Sequence, residues 1–205
     1  MTALQRDKAR TRKALLDAAE RVLMTTGPRM SLDAVAKEAE VSKGGLLHHF
    51  PSRDALLVGL AEDWMQRFDR AVQRHLDDDD DRPGRWCRAH IRASLEISSS
   101  GESWINGAVQ PALLSIPGVL ERVRHYVDRW TTEMHSDGLH PHRVLLISRA
   151  LDGDALNELL SGAATDAECR NELRDVLLEL SAHNGPLVAD TGDTGPGHSA
   201  NDRRS

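Results

Sequence analysis

Residues 31–50, SLDAVAKEAEVSKGGLLHHF, carry the pattern that determines the fold of this chain. In the first half, apolar residues recur at helical spacing, which predicts a short amphipathic helix. Ser42 is expected to cap a second short helix, in which Leu46 and Phe50 lie four residues apart on one face. Val41 stands between the two helices and is expected to fill the angle between them. Two short helices joined by a tight turn with a buried apolar residue form a helix-turn-helix.

The second helix begins with an unusual composition, Lys43, Gly44 and Gly45. A glycine within a helix costs about 1 kcal/mol relative to alanine, and close approach of a partner to the backbone is a common reason for accepting that cost. Open N–H groups at a helix start, next to a lysine, favour a phosphate. Leu47 and His48 point away from the predicted buried face. We therefore expect this helix to contact an anionic partner.

The segment VSKGGLLHHFPSRDALL, residues 41–57, resembles the recognition segment of the TetR/AcrR family of transcriptional regulators, whose usual form is V-S-x-G-T-L-Y-x-H-F-x-S-K-x-x-L. The resemblance covers about residues 9–60. Gly45 stands where the family often has threonine, and Leu47 where it often has tyrosine. Both positions commonly contact the DNA backbone in the family. Arg53 replaces the usual lysine and keeps its charge.

The resemblance implies an all-α fold of about nine helices. An N-terminal three-helix domain with the helix-turn-helix (residues 1–52) would bind DNA, and a larger helical domain (residues 53–183) would bind an effector and dimerise. Residues 184–205 are rich in Gly, Pro, Asp and Ser and are expected to form a disordered tail. The alternative is that residues 31–50 are an ordinary helical pair in a core. The expected DNA-binding residues are Ser31, Ser42, Lys43, Gly44, Gly45, Leu47, His48 and Arg53.

The charges are distributed unevenly along the chain. The formal net charge is −6, but residues 1–56 contain ten Lys and Arg against seven Asp and Glu, and the remaining residues contain sixteen against twenty-five. We call the basic N-terminal part of the chain the head and the acidic remainder the body. This distribution of charge indicates that contact with DNA is confined to the head. Five basic residues near the start of the first helix either contact DNA or form a solvated charged segment. They are Arg6, Lys8, Arg10, Arg12 and Lys13.

Composition and motifs argue against several other classes of protein. No apolar run approaches the length of a membrane span, and no basic segment followed by an apolar one indicates a secretory signal. Cys87 and Cys169 are far apart and lack metal-binding spacing, which suits a reducing cytoplasm. No nucleotide-binding or catalytic motif occurs. We therefore expect neither an enzyme nor a bound cofactor or metal.

Helical periodicity continues through most of the remaining chain. The aspartates of residues 77–81 are expected to form a solvated loop rather than a cation site. The last two predicted helices have wide apolar faces, which suits a pair that packs both on the body and on a second copy of the chain. Outside the helix-turn-helix, helices are predicted at residues 7–25, 53–76, 85–97, 103–115, 119–134, 142–163 and 166–183.

Two groups of side chains in the body are candidate binding sites. His135, Asp137, His140 and His142 are close in sequence, and we expect a polar loop there rather than a metal site. In the TetR/AcrR family the body typically houses an effector pocket between the fourth and seventh helices, and small-molecule sites are usually apolar with a few polar groups. The alternative for each tryptophan is a place in the core. The ligand-binding candidates are Trp64, Phe68, Trp86, His90, Trp104, Asn106, Gln110, Trp130 and Met134.

These observations together predict a cytoplasmic homodimeric transcriptional regulator, most simply a repressor released from DNA by a small-molecule effector. One helix reads only a few base pairs, so we expect two heads about 34–36 Å apart, or a multiple of that, on a palindromic operator. The dimer is expected to form through the helices at residues 142–163 and 166–183. A ligand in the body would tilt the fourth helix. The alternative is an all-helical interaction protein that keeps the helix-turn-helix for packing and binds no DNA.

Overall fold

The computed structural model describes residues 3–99, 114, 116–161 and 165–188 of the 205-residue chain. Within these ranges the backbone forms eight α-helices and one turn of 3-10 helix, Gly27–Arg29, and contains no strand. The predicted all-helical fold is thereby confirmed. The α-helices are α1 (Ala3–Thr26), α2 (Leu32–Glu38), α3 (Lys43–His49), α4 (Arg53–His75), α5 (Arg85–Ser99), α6 (Pro117–Ser136), α7 (Pro141–Ser161) and α8 (Ala167–Ala182).

Serine caps define the starts of the three helices α2, α3 and α4. The hydroxyl oxygens of Ser31, Ser42 and Ser52 each accept a hydrogen bond from the backbone N–H three residues further on, at 3.0 to 3.2 Å. Each of these residues has an extended backbone, as a capping residue requires. The cap at Ser42 was predicted from the sequence, and it is confirmed.

Some helix ends differ from the predicted ones. α1 begins at Ala3 rather than Asp7, because the intervening residues are good helix formers and none is Gly or Pro. The turn predicted at residues 135–142 is shorter, since α6 continues to Ser136 and α7 begins with Pro141 in its first turn, where proline fits well. The helix predicted at residues 103–115 falls almost entirely outside the described residues.

The head is built around one apolar core formed by α1, α2, α3 and the first part of α4. Leu15, Val35, Leu46 and Leu56 have no exposed surface in this core. Val119, at the start of α6, is 2% exposed and belongs to the same core. The body therefore reaches into the head, and the two parts share buried surface.

The turn between α2 and α3 closes α2 with two backbone hydrogen bonds. The Val41 N–H donates to the Ala36 carbonyl at 3.0 Å, and the Glu40 N–H donates to the Lys37 carbonyl at 3.2 Å. Glu40 has φ 54°, in the left-handed region that this closing motif requires. Val41 is partly buried against the head core, as predicted for the residue between the two helices.

The body contains two further apolar clusters. One lies between α5, α6, α7 and α8 and includes Cys87, Met134 and Ile147. The other joins the second part of α4 to α5, with Phe68, Ala71 and Val72 facing Ala89 and Ala93, and with Trp86 and Trp130 packed against it. α4 therefore contributes to the cores of both the head and the body, as α6 does through Val119 and Trp130.

The aspartate run between α4 and α5 is more structured than predicted. Asp77, Asp78, Asp79 and Asp81 are exposed, as expected of a solvated loop, but the side chain of Asp80 is only 9% exposed. Asp80 pairs with the buried Arg88 at 2.7 Å and with Arg82 at 2.8 Å. Hydrogen bonds from both guanidinium groups hold the pKa of Asp80 well below its usual value.

The end of the body extends slightly into the predicted tail. Asn184 accepts a hydrogen bond from the His140 N–H at 2.6 Å and donates one to the Gly138 carbonyl at 3.0 Å. The Gly185 carbonyl accepts from Arg143 at 2.7 Å. The first two residues of the segment 184–205 are thus held against the body, and residues 189–205 lie outside the described part of the chain.

Candidate functional site

The helix α3 buries one face and exposes the other. Leu46 is fully buried and Phe50, which follows the helix, is 2% exposed, whereas Leu47 is 38% exposed. Lys43 and His48 are also exposed. The exposed side therefore presents the front turn of the helix, together with Leu47 and His48, which are the residues that the sequence indicated as candidates for contacting DNA.

The ring of Phe50 fixes α3 on the rest of the head. A Cβ atom on Gly59, in the middle of α4, would lie 2.7 Å from Cε1 of this ring, so only glycine leaves room for it. The Arg12 guanidinium lies 4.4 Å from the centroid of the same ring, and its Nη2 would lie 3.2 Å from the same Cβ atom. The orientation of α3 thus depends on a close contact between α4 and the ring that ends the recognition segment.

The two glycines in the front turn of α3 differ in their surroundings. A Cβ atom on Gly44 would meet nothing within 4 Å, and Gly44 is exposed. A Cβ atom on Gly45 would lie 3.2 Å from the Ser42 hydroxyl oxygen, a tight contact with the cap. Within the described residues, packing therefore gives no reason for glycine at Gly44. Close approach of an external partner to the backbone remains as a physical reason.

Lys43 and Arg53 already have partners within the head. Lys43 Nζ lies 2.9 Å from Asp33, and both side chains are more than half exposed. Arg53 Nε donates to the Met30 carbonyl at 3.0 Å and ties the start of α4 to the segment before α2. An exposed ion pair such as Lys43–Asp33 is weak, so a phosphate can replace Asp33 as the partner of the lysine.

The basic start of α1 adds positive charge on the same domain. Arg6, Lys8 and Arg10 are exposed, and Arg10 pairs with Asp7 at 2.7 Å. The pKa of His49 is lowered, first by its partial burial and then by the nearby charges of His48, Lys8 and Arg12. That effect shows that the basic residues of α1 and the end of α3 influence one another electrostatically.

A second candidate site is an aromatic cluster between α4, α5 and α6. The His90 ring lies 5.7 Å from Phe68, 6.2 Å from Trp86 and 6.4 Å from Trp130, measured between ring centroids. Phe68 and Trp130 are 4.5 Å apart. The structure therefore brings together four of the residues that the sequence indicated as ligand-binding candidates.

His90 is the polar residue at the centre of this cluster. It is 3% exposed, and its Nδ1 lies 3.0 Å from the Trp86 carbonyl, which is an acceptor, so Nδ1 must carry the proton. Burial lowers the pKa of His90 and favours the neutral ring. Nε2 is then an acceptor, and it has no hydrogen-bond partner among the described residues. An unsatisfied buried acceptor costs about 1–3 kcal/mol.

An ion pair links α4 to α6 beside the aromatic rings. Arg129 donates to both carboxylate oxygens of Asp69 at 2.5 Å, and Trp130 Nε1 donates to one of them at 2.7 Å. Burial raises the pKa of Glu133, one turn further along α6. The charge of Asp69 is therefore balanced by Arg129, and the carboxylate has few acceptor positions left for a ligand.

The remaining ligand-binding candidates lie elsewhere. Trp64 is 5% exposed in the head core, and its Nε1 donates to Glu20 on α1 at 3.1 Å. Met134 is buried in a different apolar cluster, formed by α5, α6, α7 and α8. Trp104, Asn106 and Gln110 are outside the described residues. The cluster around His90 therefore includes only part of the set that the sequence indicated.

The polar turn between α6 and α7 has a structural role. Asp137 accepts hydrogen bonds from the backbone N–H groups of Gly84, Trp86 and Cys87, at 3.2, 2.7 and 3.3 Å, and so caps the start of α5. The rings of His140 and His142 lie 4.7 Å apart. In the described part of the chain, no group of three or more His, Cys, Asp or Glu residues is arranged to hold a metal ion.

The helices α7 and α8 expose an unusual number of large apolar side chains. Their exposed fractions run from 50% to 78%, in the region where the sequence predicted a dimer interface. Large exposed apolar patches typically mark surfaces for association. No helix described above is long and apolar enough to cross a membrane. The exposed apolar residues are Leu145, Leu146, Leu156, Leu160 and Val176.

Sequence reasoning did not identify several residues that position these sites. Gly59 makes room for Phe50, Glu20 holds Trp64 and Arg67 together at 3.1 and 2.8 Å, and Asp69 binds α6. A glycine in the middle of an otherwise regular helical pattern is the only local signal among them, because such a residue often marks a close contact. The two carboxylates lie on helix faces where a solvated charge is the usual expectation.

Two family models match the chain. Residues 15–60 match the model described as "Bacterial regulatory proteins, tetR family". Residues 84–182 match the model described as "Tetracyclin repressor-like, C-terminal domain". The two matches cover most of the head, the start of α4 and most of the body. No curated protein matches the chain.

Several solved structures resemble this one along most of their length. A transcriptional regulator from Rhodococcus sp. Rha1 is 22% identical, with 83% of this chain and 95% of that chain aligned and a TM-score of 0.66. The fatty acid degradation regulator FadR from Bacillus halodurans is 17% identical, with 82% of this chain and 94% of that chain aligned and a TM-score of 0.61. The multidrug binding protein EbrR, in complex with malachite green, is 24% identical, with 83% of this chain and 97% of that chain aligned and a TM-score of 0.55. At these identities the likeness shows a shared fold.

Proposed function

Because this chain belongs to the TetR family of bacterial transcriptional regulators, we propose that it acts as a homodimeric repressor in the cytoplasm. It binds a palindromic operator through its helix-turn-helix and is released when a small molecule binds the body. The proposed DNA contacts are the residues that the sequence indicated on α3 and beside it, with Lys43 and Arg53 facing phosphates and with Leu47 and His48 facing bases.

The observation that carries this proposal is the open front turn of α3. Lys43 and Gly44 are exposed, and a Cβ atom on Gly44 would meet no other atom of the described chain within 4 Å. A helix start with exposed N–H groups, a neighbouring lysine and no covering side chain suits a phosphate of the DNA backbone. The basic residues of α1 are exposed and add positive charge to the same domain.

Dimerisation through α7 and α8 is supported by their exposed leucines and valine. Leu160 is 78% exposed and Val176 is 63% exposed, which is costly for isolated chains in water. A two-fold axis through this surface duplicates it on both copies and gives each dimer two reading heads. The combination accounts for the exposed apolar side chains of α7 and α8, which lie far in sequence from the helix-turn-helix.

Release by a ligand is supported by the way α4 and α6 join the head to the body. Both helices contribute to the head core, through Leu56 and Val119, and both line the aromatic cluster, through Phe68 and Trp130. A ligand that favours a different packing of these rings moves two helices on which the head is built. EbrR is a multidrug binding protein and FadR a fatty acid degradation regulator, which agrees with ligand control in proteins of this fold.

The test is a titration of purified protein with the DNA that precedes its own gene, followed by gel mobility at several salt concentrations. Lys43→Ala should weaken binding to all duplexes and reduce the slope of log affinity against log salt by about 1. Arg82→Ala is a matched control, because Arg82 is also exposed and ion-paired with an aspartate but lies in the body. It should leave the slope unchanged.

A salt slope that is the same for Lys43→Ala as for the parent protein would remove Lys43 from the interface. Absence of any preferred duplex, at low salt and with the dimer intact, would contradict the proposal as a whole. That result would favour an interaction protein in which the helix-turn-helix serves only for packing.

A further inference from the structure

We propose that the effector site is the aromatic cluster of Phe68, Trp86, His90 and Trp130, and that it selects a neutral, flat aromatic molecule with one hydrogen-bond donor. The role of this molecule as an effector rests on the function proposed above. The chemistry of binding follows from the side chains themselves and is tested separately.

The requirement for a donor follows from His90. Its Nδ1 donates to the Trp86 carbonyl at 3.0 Å, which leaves Nε2 as a lone-pair acceptor on a neutral ring. Nε2 is buried and has no hydrogen-bond partner in the described part of the chain. Buried polar atoms in folded proteins are almost always hydrogen-bonded. An N–H or O–H group of a ligand supplies the missing bond, whereas a ligand with acceptors only repels this nitrogen.

The requirement for a flat aromatic molecule follows from the rings around His90. Phe68 and Trp130 pack at 4.5 Å with their planes inclined by 53°, and Tyr126 extends the row from Trp130 at 5.8 Å. Trp86 and Trp130 are partly exposed, so they form the outer side of the cluster. A planar guest stacks on such rings in the offset or edge-to-face geometry that aromatic pairs prefer.

The requirement for neutrality follows from the charges beside the rings. Asp69 is bound by two hydrogen bonds from Arg129 and one from Trp130. Glu133 lies 3.9 Å from Arg129, and burial raises its pKa. The Arg129 guanidinium also lies 5.0 Å from the Tyr126 ring. Since these carboxylates already have a cationic partner, an additional cation finds no unpaired anion, and it meets the charge of Arg129.

Access to Nε2 requires one of the rings to move. Trp130 is the ring that connects this movement to the rest of the protein, because its Nε1 is hydrogen-bonded to Asp69 on α4. A ligand that takes the place of the Trp130 ring beside His90 loosens this link between α4 and α6. The site is therefore cryptic, which means that the ligand stabilises a conformation that is a minor one without it.

Three small probes separate these requirements in calorimetric titrations of the full-length protein. Indole is neutral and has one N–H donor, 1-methylindole has the same shape without the donor, and 1-methylquinolinium is flat and cationic. We expect indole to bind about tenfold more tightly than 1-methylindole and more tightly than 1-methylquinolinium. His90→Leu should remove the preference for indole over 1-methylindole, and His90→Gln, which keeps an acceptor at the end of the side chain, should retain it.

Equal binding of the two indoles to the parent protein overturns the proposal, as does a preference that survives in His90→Leu. Tighter binding of 1-methylquinolinium overturns the requirement for neutrality, and failure of all three probes to bind at millimolar concentration overturns the site. The comparison of probes on the parent protein decides the matter even if His90→Leu does not fold. DNA binding without ligand is measured in parallel, so failure of the proposed function is recognised independently.

Discussion

At the scale of single residues, glycine has two opposite roles in the head. Gly59 is required within the protein, because a Cβ atom there would lie 2.7 Å from the Phe50 ring. Gly44 is not required by anything within the described chain, since a Cβ atom there would meet open space. The same substitution by alanine should therefore have opposite effects on stability at the two positions, and only one of them should bear directly on DNA.

Gly44→Ala is expected to raise the melting temperature slightly and to weaken DNA binding several-fold. Alanine is the better helix former by at most about 1 kcal/mol, while its methyl group keeps a duplex further from the backbone of α3. Gly59→Ala should lower stability by about 1–3 kcal/mol through overpacking against Phe50. Thermal unfolding and a DNA titration at fixed salt measure both effects. Full DNA affinity in Gly44→Ala would show that the glycine does not serve close approach of a duplex.

At the scale of elements, the helix-turn-helix contains a strained turn. Glu40 adopts φ 54° to close α2, although an ordinary L-residue in the left-handed region costs about 1–2 kcal/mol. The two hydrogen bonds of the turn and the buried contact of Val41 hold it in place. The position is one where glycine would be the usual choice at the end of a helix.

Glu40→Gly is therefore expected to stabilise the protein by about 1 kcal/mol without changing DNA affinity. Lys37→Gly, within α2, is the matched comparison and should destabilise it by about 0.5–1 kcal/mol, because a glycine in a regular helix loses more conformational entropy on folding. Chemical denaturation of the two variants measures the difference. A loss of stability in Glu40→Gly would mean that the glutamate side chain contributes more than the strained backbone costs.

A capping residue next to its own helix could be predicted from the sequence. A capping residue from a distant part of the chain could not. Ser31, Ser42 and Ser52 act on backbone groups three residues away, so their caps follow from local order alone. Asp137 caps α5 from about fifty residues further along the chain, and no local pattern indicates it. The same limit explains why the sequence grouped Trp64 with Trp130.

Trp64 and Phe68 are four residues apart on one buried face of α4. This face meets α1 at Trp64 and meets α5 and α6 at Phe68, so one periodic pattern faces two different environments. Helical spacing tells which residues face inward, but the packing of other helices decides what they face. For that reason the sequence indicated aromatic residues that face inward, but not which of them lie together around His90.

At the scale of the whole molecule, the exposed apolar surface of α7 and α8 is the feature that the single chain leaves unexplained. Leu156 and Leu160 are 51% and 78% exposed and stand four residues apart on one side of α7. Covering such side chains with a second copy contributes about 25 cal/mol for each Å² removed from water. The proposed dimer therefore accounts for these residues better than a monomer.

The double variant Leu156→Glu and Leu160→Glu should be monomeric and should bind a palindromic operator much more weakly, because charges placed in an apolar interface remain unpaired. Val127→Glu is the control, since Val127 is 45% exposed on α6 and lies outside the proposed interface. Light scattering after size-exclusion chromatography gives the mass of each. A dimer of undiminished affinity in the double variant would place the interface elsewhere.

The burial of Val119 in the head has a consequence for protein engineering. Val119, at the start of α6, is buried in the apolar core of the head, so the residues that build this core are not continuous in sequence. A hybrid regulator made by grafting residues 1–52 onto the body of another protein would lack both Val119 and the first turns of α4, which contribute to the core of the head. Successful recombination of such proteins must transfer a discontinuous unit that includes the segment around Val119, or else redesign the host helix to fit the borrowed core.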